Sequence, residues 1–245
     1  MQVQNPLTYR LMKKSIYSLF VAAIVSVTAV CAQAAETISE AVVLKVSGTA
    51  QATQPGAAPV DIKVGDKLPQ GTVITTSSSS EVEVQTSPGS VTTIESDTTA
   101  DLSKLSITTE NGAVTKQSAI VDVKVGSVVA KLDPAKRAIN DYSVRTPRGV
   151  AAARGTEYRV TVYSDGAVVV AVNKGSVRFT NPKTNQSVLV GTGQSVTIAA
   201  DGTMRGPFRT TIHIPSRWDL DEDGNLFAVY ERGTIDPTII VSPSS

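Results

Sequence analysis

"YSVRTPRGVAAARGTEYRV", residues 142–160, is the stretch on which the fold turns. Apolar and polar residues alternate as the chain enters it, at Tyr142 and Val144, and again as it leaves, at Tyr158 and Val160. That period of two belongs to a half-buried strand. Between the two runs sit Thr146-Pro147, the small residues from Gly149 to Ala153, and Gly155-Thr156. Proline brings no donor to a ladder and glycine bends a strand, so both belong at a strand boundary or bulge. The interruption either turns a sheet or forms a loop in which Arg148 and Arg154 contact an anion or a partner, a use to which the guanidinium fork is suited.

The same alternation extends outward on both sides. Val82 and Val84 alternate with Glu81, Glu83 and Gln85; Val168, Val170 and Val172, then Val177 and Phe179, Val188 and Val190, and Val196 and Ile198 continue the pattern. Asn111-Gly112, Ser164-Asp165-Gly166, Asn173-Lys174-Gly175, Asn181-Pro182 and Asp201-Gly202 stand between the runs and supply the backbone angles of tight turns. Short strands at this spacing predict an all-β sandwich, barrel or solenoid. No stretch after the N-terminal segment has a usable helical period. Ala50 to Val60 reads as a surface loop and Ser77 to Ser80 as a polar turn. Valines followed by a glycine and a small residue recur in "VDVKVGSV" at 121–128 and "AVNKGSV" at 171–177, an approximate repeat of the kind that stacks one unit on the next.

Composition agrees. The 245 residues are 41% hydrophobic but only 4% aromatic, so the core is built from small β-branched side chains that suit a pleated surface. Arg10, Lys13 and Lys14 precede an apolar run from Leu19 to Ala32, and Ala32-Gln33-Ala34 is a small-residue cleavage site. Residues 1–34 therefore read as an export signal helix, cleaved to leave a chain starting near Ala35. The alternatives are an uncleaved membrane anchor and, through Cys31, a lipid anchor. Cleavage removes three basic residues and no acidic one, which takes a chain of net charge +1 to −2. Neither nucleic acid nor an anionic membrane is an evident partner at that charge. It also removes the single cysteine, so the core must hold the exported chain together without a disulfide.

Five separated motifs, "VGDKLPQGTVITT" at 64–76, "VKVGSVVAKL" at 123–132, the opening stretch, "VVAVNKGSVRF" at 169–179 and "VLVGTGQSVTI" at 188–198, together resemble the FecR domain in order and spacing. The likeness runs over residues 41–200. It implies an all-β extracytoplasmic domain, a β-solenoid or sandwich of short strands, in which Thr146-Pro147 and Gly155-Thr156 are the sheet-turning signature. The best-known proteins of that family are transmembrane regulators that receive a signal from an outer-membrane iron-siderophore receptor and pass it to a cytoplasmic sigma factor. Here only about fourteen to eighteen residues precede the apolar run, too few for a folded sigma-binding domain. The expectation is a FecR-like domain without that cytoplasmic region.

Catalytic material is sparse. His213, the single histidine, lies between Ile212 and Ile214 and reads as a strand residue, because a base also needs a nucleophile and an orienting group. Gly191-Thr192-Gly193 is a turn and no nucleophile elbow occurs. Glu81 and Glu83 read as the solvated side of one strand. The sharper signal is "WDLDEDGN" at 218–225, where Asp219, Asp221 and Asp223 before Gly224 resemble the first half of a calcium loop. Its second half fails, since the twelfth position is Tyr230, so the choice lies between an acidic turn and a weak calcium site. Asn185-Gln186-Ser187 matches a glycosylation acceptor.

The sequence thus predicts a signal peptide over 1–34, a FecR-like all-β domain over 41–200 and a C-terminal extension over 201–245. The protein is expected to be periplasmic or secreted, with membrane anchoring through the N-terminal segment as the alternative. It is expected to be no enzyme, to need no cofactor beyond weak calcium, and to recognise or scaffold an envelope protein or polysaccharide. A periplasmic part in iron-siderophore signalling through a separate partner, and a hydrolase of unseen site, are the other two readings.

Overall fold

A computed structural model describes residues 34–209 and, for the backbone alone, 217–220 and 226–229. In chain order the strands are β1 (Ala35–Ile38), β2 (Glu40–Ser47), β3 (Ala50–Thr53), β4 (Val60–Asp61), β5 (Lys67–Pro69), β6 (Val73–Thr76), β7 (Glu81–Ser87), β8 (Ser90–Ile94), β9 (Thr99–Glu110) and β10 (Ala113–Leu132). After a 3₁₀ turn at Pro134–Lys136 come β11 (Asn140–Thr146), β12 (Gly149–Ala153), β13 (Glu157–Val162), β14 (Val168–Lys174), β15 (Ser176–Asn181), β16 (Gln186–Gly191), β17 (Gln194–Ile198) and β18 (Met204–Arg209). A separate two-stranded sheet pairs β19 (Arg217–Leu220) with β20 (Leu226–Val229). Among the described residues no helix is long and apolar enough to cross a membrane. The segment read as an export signal, residues 1–34, lies outside them except for Ala34.

Hydrogen bonding joins β1 to β18 into one closed sheet. It is folded into two layers. Layer A runs β4-β3-β6-β9-β10-β11-β12-β15-β16, with β1 also on β9. Layer B runs β5-β2-β7-β8-β10-β13-β14-β17-β18. Hairpins fall alternately into the two layers: β11-β12 in A, β13-β14 in B, β15-β16 in A, β17-β18 in B. The solenoid and the sandwich suggested by sequence are therefore one arrangement, a coil of hairpins pressed into a two-layer stack. Inward residues of both layers, such as Val144, Ala151 and Phe179 of A and Val82, Val160 and Val170 of B, belong to one buried cluster. Tyr158 and Phe179 are fully buried, and each contributes about 2–3 kcal/mol by leaving water.

Gly126 and Gly155 are two of the glycines that carry the chain between layers. β10 pairs with β9 of layer A as far as Val125 and with β13 of layer B from Gly126 onward. Gly126 has a φ of +97°, and a Cβ there would stand 2.5 Å from Thr98 Cα, so no other residue fits the crossing. The opening stretch contains the second. β11 ends at Thr146, whose Oγ1 accepts from the Gly149 N–H at 3.1 Å across the Pro147-Arg148 turn. β12 then runs to Ala153, and Gly155 (φ +67°) turns the chain into layer B at β13. The interruption in residues 142–160 is a hairpin followed by a layer change.

Three local readings need correction. Ala50–Thr53 is strand rather than loop, because Ala50 and Ala52 are buried against the core. Glu81 is not solvated; it is 5% exposed and pairs with Lys45 Nζ at 3.1 Å. The strands are not all short, since β9 and β10 have 12 and 20 residues. Their polar faces hide their length in sequence.

Candidate functional site

Arg148 and Arg154 stand at opposite ends of β12, and the fold does not bring them together. Arg148 is half-buried, and its Nε donates to the Gly166 carbonyl at 3.1 Å, which ties the β11-β12 turn to the β13-β14 turn. It lines a cleft of about 420 Å³ with Asn181, Lys183 and Asp201. Asp201 is engaged there by the Thr203 N–H at 2.7 Å, a bond that lowers its pKa. Arg148 thus has a structural contact that the sequence did not reveal.

Arg154 lies at the layer change and joins a different feature. On the outer face of layer A, the register places Ser143 opposite Ala152, Ala152 opposite Arg178, and Arg178 opposite Leu189. Period-two alternation sends these side chains away from the core, where Tyr142, Ala151, Val177 and Val190 point. Ala152, Ala153 and Ser176 are small, so they form the floor of a groove of about 290 Å³. Arg137, Arg154 and Arg178 line it and are all exposed. Arg137 follows the 3₁₀ turn and is held beside Gly155, where an added Cβ would lie 3.4 Å from its own Cβ.

The charge of this groove is unbalanced. Among the described residues, none of its three arginines forms an ion pair. Its one carboxylate, Asp141, is held by Lys116 Nζ at 2.7 Å. The neighbouring cleft on the same face, about 470 Å³ and lined by Glu36, Lys104 and Arg145, has its charges matched. Lys104 meets Glu36 at 2.9 Å, Ser106 Oγ donates to the same carboxylate at 2.6 Å, and Arg145 approaches Asp122 at 3.9 Å. The Ser106 hydrogen bond and then the Lys104 charge lower the pKa of Glu36. Asp101 behaves oppositely: burial, then the Asp122 charge opposite it, raises its pKa.

Layer B carries one mostly buried charge pair, Arg159 Nη2 to Glu95 Oε1 at 2.7 Å. Burial outweighs the arginine and raises the Glu95 pKa. No group of three metal-ligating side chains occurs among the described residues. Asp221, Asp223 and His213 lie outside those residues, and Asp219 falls in β19, whose side chains are not described. The sequence missed Arg137 and Arg178. Alternation in "SVRF" does place Arg178 on the polar side of its strand, but nothing local says that β15 is the neighbour of β12.

The family profile described as FecR protein matches residues 72–178, which marks that stretch as a FecR domain; it holds β6 to β14 and the three arginines. Two crystal structures of a candidate anti-sigma factor from Parabacteroides distasonis are similar to the chain, each at 15% identity over 54% of this chain and 57% of that one, with a TM-score of 0.43. The chain thus spans just over half the length of those proteins. Comparison with curated proteins gives no match.

Proposed function

We propose that the chain is an exported recognition module of the cell envelope, binding a protein partner through the outer face of layer A and performing no chemistry of its own. The observation that supports this most is the set of three arginines, unpaired among the described residues, on the rigid face of a FecR domain. A surface that only had to be soluble would pair or scatter them, as the rest of layer A does. The FecR match also favours a second reading, that the partner belongs to an envelope signalling system that responds to iron. A photo-crosslinking residue at Ala152, compared in cells with one at Lys131 on layer B, tests the first reading: a discrete adduct is expected from Ala152 alone. Adducts from neither position, or from Lys131 only, contradict it. Altered iron-dependent transcription on deletion of the chain, with the adduct retained, selects the signalling reading.

A further inference from the structure

We infer that the Arg137, Arg154 and Arg178 groove is the binding site for an extended acidic peptide segment of the partner, with carboxylates two residues apart and an apolar side chain beside them. This inference rests on the recognition reading above. Adjacent strands lie about 4.7–4.9 Å apart and rise about 3.3 Å per residue. Arg178 is directly opposite Ala152, and Arg154 follows Ala152 by two residues. Their Cα atoms are therefore offset by one strand and two residues, about 8 Å. Carboxylates at alternate positions of an extended chain point the same way and stand about 6.6–6.8 Å apart. Long guanidinium arms close that small difference, and each can take a carboxylate through two parallel hydrogen bonds.

The rest of the lining selects a peptide over an acidic sugar. Leu189, 56% exposed, lies opposite Arg178 and beside an alanine floor, an apolar strip for a peptide side chain. The one ring in the lining, Tyr142, is 2% exposed and its hydroxyl is bound to Thr92 Oγ1 at 2.6 Å, so it offers no face on which a pyranose could stack. Asp141 does not cancel the site, because Lys116 already holds it.

The test is fluorescence anisotropy with the full mature chain and a labelled synthetic peptide, Gly-Ser-Asp-Ser-Asp-Ser-Leu-Ser-Gly, whose two carboxylates and leucine share one face when it is extended, with polygalacturonate oligomers as the sugar arm. Saturable peptide binding is expected. Arg178→Glu and Arg154→Glu should each weaken it at least tenfold, Arg178→Gln less, and Lys131→Glu not at all. Unchanged melting curves for these surface variants separate lost binding from lost fold. Tighter binding of polygalacturonate than of the peptide, equal loss with Lys131→Glu, or no binding at millimolar peptide overturns the inference. If an adduct at Ala152 persists without peptide binding, the inference falls alone; if the adduct is also absent, the recognition reading falls with it. The chain's own Asp219, Asp221 and Asp223 share the carboxylate spacing. A chain with Asp219, Asp221 and Asp223 all changed to Asn is therefore included: threefold tighter peptide binding by it would mean that the groove is occupied from within, and would overturn assignment to a partner.

Discussion

Tyr142 of layer A and Tyr158 of layer B are both buried in the core, yet their hydroxyls are treated differently. Tyr142 OH and Thr92 Oγ1 are 2.6 Å apart in a bond between the layers, whereas Tyr158 OH has no partner. Burial raises the pKa of both phenols, so both remain neutral at any working pH. Tyr142→Phe removes one side of a hydrogen bond and leaves Thr92 Oγ1 stranded, a cost of about 1–2 kcal/mol. For a domain of this size that lowers the melting temperature by about 2–8 °C. Tyr158→Phe deletes a hydroxyl whose desolvation is already uncompensated, so its expected effect lies between neutrality and a gain of about 1 kcal/mol. Thr92→Val combined with Tyr142→Phe should cost less than the sum of the two, because both ends of the bond are then apolar; the coupling is about 1 kcal/mol. Urea melts of the four variants measure all of these quantities. Equal destabilisation by Tyr142→Phe and Tyr158→Phe, or zero coupling between Thr92 and Tyr142, would refute the pairing scheme.

Gly155→Val should destabilise the domain by about 2–4 kcal/mol, since it combines a left-handed backbone with a Cβ 2.8 Å from Pro134 Cα, while Arg148→Ala should cost no more than about 1 kcal/mol; denaturant melts compare them. Because the Glu95 pKa is raised on folding, its contribution is fully present below the ordinary value of 4.5 and is lost as pH rises through the higher folded value. The difference in melting temperature between wild type and Glu95→Gln should therefore shift against wild type from about pH 4.5 to about pH 7.5, and a flat difference would contradict the direction. Calcium should raise the melting temperature only at about millimolar levels, in proportion to the logarithm of its concentration, and Asp221→Asn should abolish the response; identical titrations would make Asp219, Asp221 and Asp223 an acidic turn.

Strand identity was legible because β11 and β13 bury alternate residues, and the Asn-Gly, Asp-Gly and Asn-Pro turns fixed where hairpins close. The sheet-turning use of Gly155 was legible for a similar reason, since glycine there answers a backbone requirement. Layer assignment was not legible. Whether a turn returns to the same layer or crosses to the other depends on packing between residues far apart in sequence, as β12 pairing with β15 shows. The groove was half legible: Arg154 stood out beside Gly155, but Arg137 and Arg178 acquire meaning only when β11, β12, β15 and the turn after β10 are side by side. Glu81 looked like solvated surface charge because its burial comes from neighbouring strands of layer B.

The most direct test of the account is affinity capture from envelope extract with the mature chain and with a variant changed at Arg137, Arg154 and Arg178 together to Ser, quantified by mass spectrometry against a Lys131→Ser control. The wild type and the control should enrich the same envelope protein through an acidic segment, and the triple variant, with an unchanged melting curve, should lose it. Undiminished capture by the triple variant would contradict the claim that this face of the FecR domain is where recognition occurs.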